Sequence, residues 1–448
     1  MIIFINKPFF ILNMGHITSK GYKDLQKRLN KSIQGAPESE TLFKILEQLF
    51  TQQEAKTVSL LPLNFFTVEE AMKIIEKNRE DTIEILDGLA TKMILFDCKK
   101  GDSKAYIMAA PMAGFIEYSL MRTDGKFNTK LLSELYHQYI NVETEFMTQV
   151  FGLDPAMDRT FVHEDMIQEK DQSIVLDYER ASKVIDDSEC ITVGRCYCRH
   201  KMAHLGKACG APENVCLTFN NPAKNLIKQK IAKEITKEEA HKIIKECMEY
   251  GLVQIGDNVQ DRVGWICNCC GCCCEALLAY KKLGTSDKIN TNFYAKLIPE
   301  ECTGCSVCKI KCPVDAIEMI NGKAFVDEDR CIGCGVCARF CPTKTLKLER
   351  RKETKFVPKD IFERYVISAI NEGKLQNFIF GNQNLWTHKL MRRFVGFFLK
   401  LKLSKKILVQ NQMQSKYLQW IVKTYYKFNK KDYGEMPDYS HPEMKRKL

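Results

Sequence analysis

Apolar positions along the chain settle into helical spacing soon after it begins. In SETLFKILEQLF (39–50), Leu42, Ile45, Leu46 and Leu49 recur at three- and four-residue intervals, which makes one helix face apolar. TVEEAMKII opens with Thr67 and, three residues on, Glu70, a capping box that satisfies two free amides at a helix start. EDTIEILDGLATKMI places Ile83, Leu86, Leu89 and Ala90 on one face. The pattern then changes: LFDCKKGDSKAYIM predicts two short strands around a KKGDSK turn. NTKLLSELYHQYI is the clearest periodic stretch of the next seventy residues. TKEEAHKIIKECMEYG has a capping box at Thr236 and Glu239 and a glycine stop at Gly251. Near the C-terminus, LWTHKLMRRFVGFFLKLKLSKKILVQ (385–410) is amphipathic. Leu390, Phe394, Phe397, Leu401 and Leu408 fall near one face, with Arg392, Arg393, Lys400, Lys402, Lys405 and Lys406 largely elsewhere.

These patterns predict an α+β protein. Its parts are an N-terminal extension (1–20), a helical domain with a β-wing (21–122), a helical connector (123–190), a Cys-rich region (191–290), a repeat region (291–350) and a helical basic tail (351–448). Helix, helix, helix, wing resembles a winged-helix domain. The position of a recognition helix, however, carries Glu80, Asp81, Glu84 and Asp87 against Lys92 alone. Four acids repel phosphates, and base reading needs phosphate anchoring first. A structural or protein-docking role is therefore expected, with Lys99, Lys100 and Lys104 in the wing sustaining DNA binding as the alternative.

Composition changes this picture at one point. Hydrophobic residues make up 45% and charged residues 27%, so a packed core is expected, but cysteine is an outlier at 21. Secreted disulfide scaffolds are usually short and begin with a signal peptide. MIIFINKPFFILN has neither a basic start nor a small-residue cleavage site, and is too short to span a bilayer. Met14 competes with Met1 as the start, and MGHITS after it fits a myristoylation pattern that is read as chance. A cytoplasmic protein with reduced, metal-holding cysteines is expected. The net charge of +11 is unevenly placed: from Lys389 onward there are 15 Lys/Arg and 4 Asp/Glu, so the whole excess lies in the last sixty residues. A nucleic-acid-coating protein is not indicated. The basic helix at 385–410 either packs on its own domain or meets anionic lipid or an acidic redox partner, which would place the protein peripherally at the inner membrane face.

The strongest signal is CTGCSVCKIKCPVDAIEM followed by CIGCGVCARFCPTKTLKL, two C-x2-C-x2-C-x3-C-P runs offset by 29 residues. Three thiolates at i, i+3 and i+6 wrap one corner of a cubane, small residues between them allow the tight turn, and in two-cluster arrangements the fourth thiolate crosses to the other cluster. Cys302, Cys305, Cys308 and Cys341 are thus assigned to one [4Fe–4S] cluster, and Cys331, Cys334, Cys337 and Cys312 to the other. A duplicated zinc ribbon would have different spacing and no need of the Pro or the exchange. Residues from about 293 to 350 closely resemble bacterial-type two-cluster ferredoxins, which implies a small pseudo-twofold β-α-β domain with clusters close enough for electron hopping. Signatures of radical-SAM enzymes, c-type haem, P-loops and dinucleotide folds are absent.

Thirteen further cysteines precede that repeat, ten of them in two segments. GRCYCRHKMAHLGKACGAPENVC holds Cys196, Cys198, Cys209 and Cys216, with His200 and His204 between them. GWICNCCGCCCEALLAY holds Cys267, Cys269, Cys270, Cys272, Cys273 and Cys274. Zinc is one reading, but a tetrahedral site takes four ligands and leaves most of these thiols unexplained. Alternation predicts Cys267, Cys269 and Cys273 on one side of the strip and Cys270, Cys272 and Cys274 on the other, blurred by a bend at Gly271. That predicts a strip between two metal centres or lining one larger one, with at least one additional iron–sulfur centre drawing ligands from both segments. CEALLAY then starts a helix whose dipole favours thiolate. His200 and His204 are read as a solvated helix face, and Cys98, Cys190 and Cys247 as core. The chain from about residue 20 to 400 also resembles uncharacterised Cys-rich dicluster iron–sulfur proteins of anaerobic microbes, which implies redox function without naming a substrate.

The expected function is electron transfer, with single electrons passing through two [4Fe–4S] clusters to or from the central Cys-rich metal centre and exchanged with a redox partner protein. Nucleic acid is not an expected partner. Two alternatives stand beside it: a redox- or iron-responsive winged-helix regulator, and an oxidoreductase binding substrate at an open iron of the central site.

Overall fold

In the computed structural model, the structure is described for residues 19–100, 103–167, 175–284, 288–381 and 390–393. The N-terminal part begins with helices Lys20–Leu29, Glu40–Leu49 and Gln52–Leu60. Ser39 caps the second by accepting from the Leu42 amide. Strand β1 (Phe66–Thr67) leads into helix Val68–Ile75, where the Thr67/Glu70 capping box is formed, and then into helix Arg79–Thr91. Strands β2 (Leu95–Lys100) and β3 (Ser103–Met108) form the hairpin predicted around KKGDSK, and the three strands lie in the order β1-β3-β2.

A seven-stranded sheet occupies the middle of the molecule. Its strands are β4 (Asp158–Phe161), β5 (Ile191–Arg195), β6 (Asn214–Phe219), β7 (Ala232–Glu234), β8 (Val253–Asp257), β9 (Trp265–Cys269) and β10 (Ile289–Asn290). The order is β10-β4-β8-β9-β6-β5-β7, antiparallel throughout except for the β10–β4 edge. The connector expected to be helical therefore supplies a strand. β4 reads DRTF and is wholly buried, and four residues beginning with two charges show no alternation from which a strand could be read. The connector's helices Thr129–Tyr136 and Glu145–Phe151 precede it.

Residue alternation gives the sheet two different faces. Leu217 of β6 and Ile266 of β9 are paired neighbours and join Phe161, Ile191, Phe219 and Ile244 in a core beneath helices Ala181–Asp187 and Lys237–Tyr250. The latter helix carries the predicted Thr236/Glu239 capping box and ends at Gly251 in the left-handed conformation. One residue along each strand, Cys216 and Cys267 turn to the opposite face, into a core that runs continuously from Tyr22 to Ala279. The N-terminal helices thus share one core with the central cysteines, and Met112, Tyr118 and Met121 reach the cysteine cavity.

The repeat region follows. β11 (Phe293–Leu297) pairs with β14 (Leu346–Arg350), and β12 (Ile317–Ile320) with β13 (Lys323–Val326), both antiparallel. A separate core joins Val253, Cys274, Leu277 and Tyr280 to Phe293, Ile332, Val336 and Leu348, so this domain is built onto the sheet. Helices Ile361–Asn371 and Leu375–Ile379 close the described chain apart from residues 390–393. The N-terminal stretch holding Met1 and Met14 lies outside the described residues, as does all of the amphipathic segment 385–410 except residues 390–393. Among the described residues no helix is long and apolar enough to cross a membrane.

Candidate metal centres

The repeat-region cysteines gather in two cavities. Cys302, Cys305, Cys308 and Cys341 line one. Cys312, Cys331, Cys334 and Cys337 line a second. Each set takes three thiols from one run and the fourth from the other. Two backbone features make room. Ser306 and Gly335, 29 residues apart, both adopt positive φ and start the short helices Val307–Lys311 and Val336–Arg339. Gly333 has φ +62°, and a Cβ there would run into the Phe293 carbonyl. The sulfurs are met by donors, as thiolate ligands require. The amides of Ala295 and Gly333 donate to Cys331 Sγ at 3.3 and 3.5 Å, and that of Ala316 to Cys312 Sγ at 3.2 Å. Burial pushes the Cys341 thiol up, but hydrogen bonds from Thr345 and Thr343 outweigh it and bring it down to about 7. These residues fit a pair of four-iron clusters.

The ten upstream cysteines divide into six and four. Extending the β6–β9 register places Cys216 opposite Cys267, and Cys269 lies two residues on along the same face. β5 breaks register at Gly194/Arg195, so Cys196 turns in at the start of helix Tyr197–His204, with Cys198 in its first turn. Cys274 caps helix Glu275–Leu283 from the far side. These six line one cavity together with Met112, Tyr118 and Tyr197, and Cys270 and Cys273 of the other set form part of its wall. Their thiols interact in a closed cycle: Cys196, Cys198, Cys274, Cys269, Cys267, Cys216 and back. Hydrogen bonds from two ring neighbours pull Cys196, Cys267 and Cys274 down, Cys267 to about 6 and Cys274 to about 5. Burial and then hydrogen bonds push Cys198 up, and hydrogen bonds and then burial push Cys216 and Cys269 up. Metal ions bound by such a ring would displace its thiol protons.

Cys209, Cys270, Cys272 and Cys273 form the other set, their sulfurs all within 4.8 Å of one another. The alternation expected along the strip is therefore corrected. Three cysteines do face each way, but Cys274 joins Cys267 and Cys269, while Cys273 joins Cys270 and Cys272. Strand geometry ends at Cys269, and the turn through Gly271 exchanges the last two. A Cβ on Gly271 would collide with the backbone of Pro313, the residue after Cys312, so the strip is pressed against a ligand loop of the second repeat-region cavity.

Buried charged side chains hold these segments together. Lys201 and Glu275 are ion-paired and buried, and Asn141 bonds both, accepting from Lys201 at 2.6 Å and donating to Glu275 at 2.7 Å. Arg199, also buried, donates to the Asn268 carbonyl at 2.7 Å and to that of Pro212. Each lies inside a quoted motif, CYCRHK or CEALLAY, but nothing local marks them as partners across 74 residues. The histidine expectation fails for the same reason. The helix Tyr197–His204 is an interior helix, and His200 is 8% exposed with Nδ1 2.6 Å from the Leu120 carbonyl oxygen. Cys247 and Cys190 are buried, as expected of core, and Cys98 is half-buried. Three acids also line the six-thiol cavity: Glu117, Asp158 and Asp257, the last paired with Arg364 at 2.8 Å. Glu117 accepts from the Ala113 and Gly114 amides at 2.6 and 2.7 Å, and burial raises it to about 8. Asp158 is 1% exposed, and neither carboxyl oxygen has a hydrogen-bond partner among the described residues.

Residues 295–318 and 324–347 each match the family described as 4Fe-4S binding domain, two adjacent repeats that together make a two-cluster, ferredoxin-like domain. No curated protein and no solved structure matches the chain.

Proposed function

We propose that this iron–sulfur protein carries single electrons between the ferredoxin-like domain and a further metal centre held by the ring of Cys196, Cys198, Cys216, Cys267, Cys269 and Cys274. The observation that carries this reading is the contact between Gly271 and Pro313, which presses the central cysteine strip against the loop of Cys312. The metal clusters, when bound, supply the one-electron couples. The chain supplies thiolates, amide donors to sulfur and a dry setting, and so tunes potential and blocks side reactions. The ring draws ligands from both the 196–216 and the 267–274 segments.

Anaerobically purified full-length protein, assayed for iron, zinc and sulfide with reduced-state EPR, tests it. More than the roughly eight irons of two cubanes are expected. Cys198→Ser or Cys267→Ser should remove the excess and leave the ferredoxin signals. Eight irons, unchanged in both variants, would refute a redox centre in the ring.

A second reading, an oxidoreductase, is favoured by Asp158 and Glu117. Two buried acids beside a thiol ring could move protons to a substrate as electrons arrive. A small molecule that alters the ring centre's spectrum in wild type, but not in Asp158→Asn, would support it. The winged-helix reading of 21–122 is supported by the β1-β3-β2 order, and a docking role is preferred over DNA. We propose that the redox partner docks on the side of Cys305, the exposed thiol of the quartet Cys302, Cys305, Cys308 and Cys341, here the outer quartet, with Cys312, Cys331, Cys334 and Cys337 the inner one.

A further inference from the structure

Cys209, Cys270, Cys272 and Cys273 are distinguished by how close they stand. Cys209 and Cys270 are 3.5 Å apart, Cys272 and Cys273 3.7 Å, and Cys273 and Cys209 3.9 Å, with every pair inside 4.8 Å. Four thiolates around one tetrahedral ion at about 2.3 Å have sulfur–sulfur edges of about 3.8 Å. A cubane instead places a separate iron behind each thiolate, so its ligands are spread by the width of a four-iron core. The molecule contains its own comparison. Among the described residues, no other three Cys, His, Asp or Glu side chains bring their ligand atoms within 4.8 Å of one another, and the two quartets of the ferredoxin-like domain are no exception.

We infer that these four cysteines bind a single tetrahedral divalent ion of the zinc class, a site separate from the six-thiol ring and from both ferredoxin quartets. Binding replaces the thiol protons, which leave to solvent. Four thiolates and one divalent cation carry a net charge of −2, and Arg199, set against Cys270, offsets part of it. The ion ties two stretches that share no strand, the loop after helix Tyr197–His204 and the turn 270–273. It thereby fixes Gly271 against Pro313. Its role is to hold the register between the ring and the ferredoxin-like domain, with no change of oxidation state.

The site goes beyond the electron-transfer proposal, and the two can fail separately. Full-length protein, purified anaerobically, is expected to hold one zinc per chain, with X-ray absorption at the zinc edge showing four sulfurs at about 2.3 Å. Cys272 is exposed, so changing it disturbs packing least. Cys272→Ala should lose zinc at least tenfold more readily to a chelator, while Cys272→His, which completes a three-cysteine, one-histidine site, keeps it. Iron, sulfide and ferredoxin EPR signals should be the same in all three proteins. Cobalt exchange into wild type, read by thiolate-to-cobalt absorption, decides the matter should the Ala variant misfold. Loss of iron and sulfide in place of zinc from Cys272→Ala, or wild type that takes up neither zinc nor cobalt, would overturn the assignment.

Discussion

Lys201 and Glu275 show how single residues hold the centre together. Each lies in the first two turns of a cysteine-bearing helix, and with Asn141 they form a buried polar triad. Removing one member of a buried pair leaves an uncompensated charge and typically costs about 3–5 kcal/mol, whereas replacing both by apolar groups is far milder. Lys201→Met should therefore lower the thermal midpoint sharply, and Lys201→Met/Glu275→Met should recover most of the loss. A double variant no more stable than the single one would show that the pair is not acting as a unit. Gly271 makes a different demand. Its Cβ would meet backbone at Pro313, which cannot swing aside as a side chain can. Gly271→Ala should push the strip off the Cys312 loop and slow reduction of the ring centre, with ferredoxin EPR intensity retained. Equal reduction rates in variant and wild type would disprove the coupling. At this scale the sequence was uneven as a guide. Cysteine spacing pointed to the ferredoxin ligands, because three of each quartet lie within seven residues and the repeat of the run indicates where the fourth comes from. The exchange of Cys273 and Cys274 was hidden, because it depends on where β9 stops.

Among elements, the helix Arg79–Thr91 and the hairpin beside it bear on the regulator alternative. The helix exposes Glu80, Asp81 and Glu84. Three cations nearby are engaged: Arg79 with Glu69, Lys92 with Glu54 at 2.7 Å, and Lys104 with Asp87 at 2.5 Å. Burial pushes Asp87 up, but hydrogen bonds from Lys104 and Tyr106 outweigh it, so the carboxyl stays below its ordinary range. The Asp87 carboxylate is therefore held in its ionised form beside Lys104. Full-length protein should bind duplex DNA only in the non-specific range of about 10⁻⁴–10⁻⁶ M at physiological salt. Sequence-selective binding that survives raised salt would restore the regulator. Capping boxes at Thr67 and Thr236 and the 39–50 periodicity were legible because they are signals within one turn or two. β4 was not, since a four-residue strand is selected by its neighbours in the sheet rather than by its own pattern.

The whole molecule is built so that its cysteine clusters share walls. The core under the ferredoxin-like domain includes Val253, Leu277 and Tyr280 from the central region, and Asn290 itself pairs with Arg159 in the sheet. A chain ending at Asn290 would expose several side chains worth about 1.5–3 kcal/mol each, and is expected to aggregate rather than to report on the central site. Point changes in the crossed ligands are the sharper probe. Cys341 completes the quartet that includes exposed Cys305, while Cys312 completes the quartet of buried Cys331, Cys334 and Cys337, next to Gly271. If the inner quartet is the one that communicates with the ring, the two fourth ligands are not equivalent. Cys341→Ser should disturb the outer cluster's EPR signal and slow reduction by a protein donor, while small mediators still reduce the ring centre. Cys312→Ser should disturb the inner signal and slow the ring centre with either reductant. Anaerobic rapid-mixing with both reductants reads the difference. If Cys312→Ser spared the ring centre while Cys341→Ser cut it off, the order of the relay would be reversed. The Gly271–Pro313 contact would then have to be given a purely structural meaning.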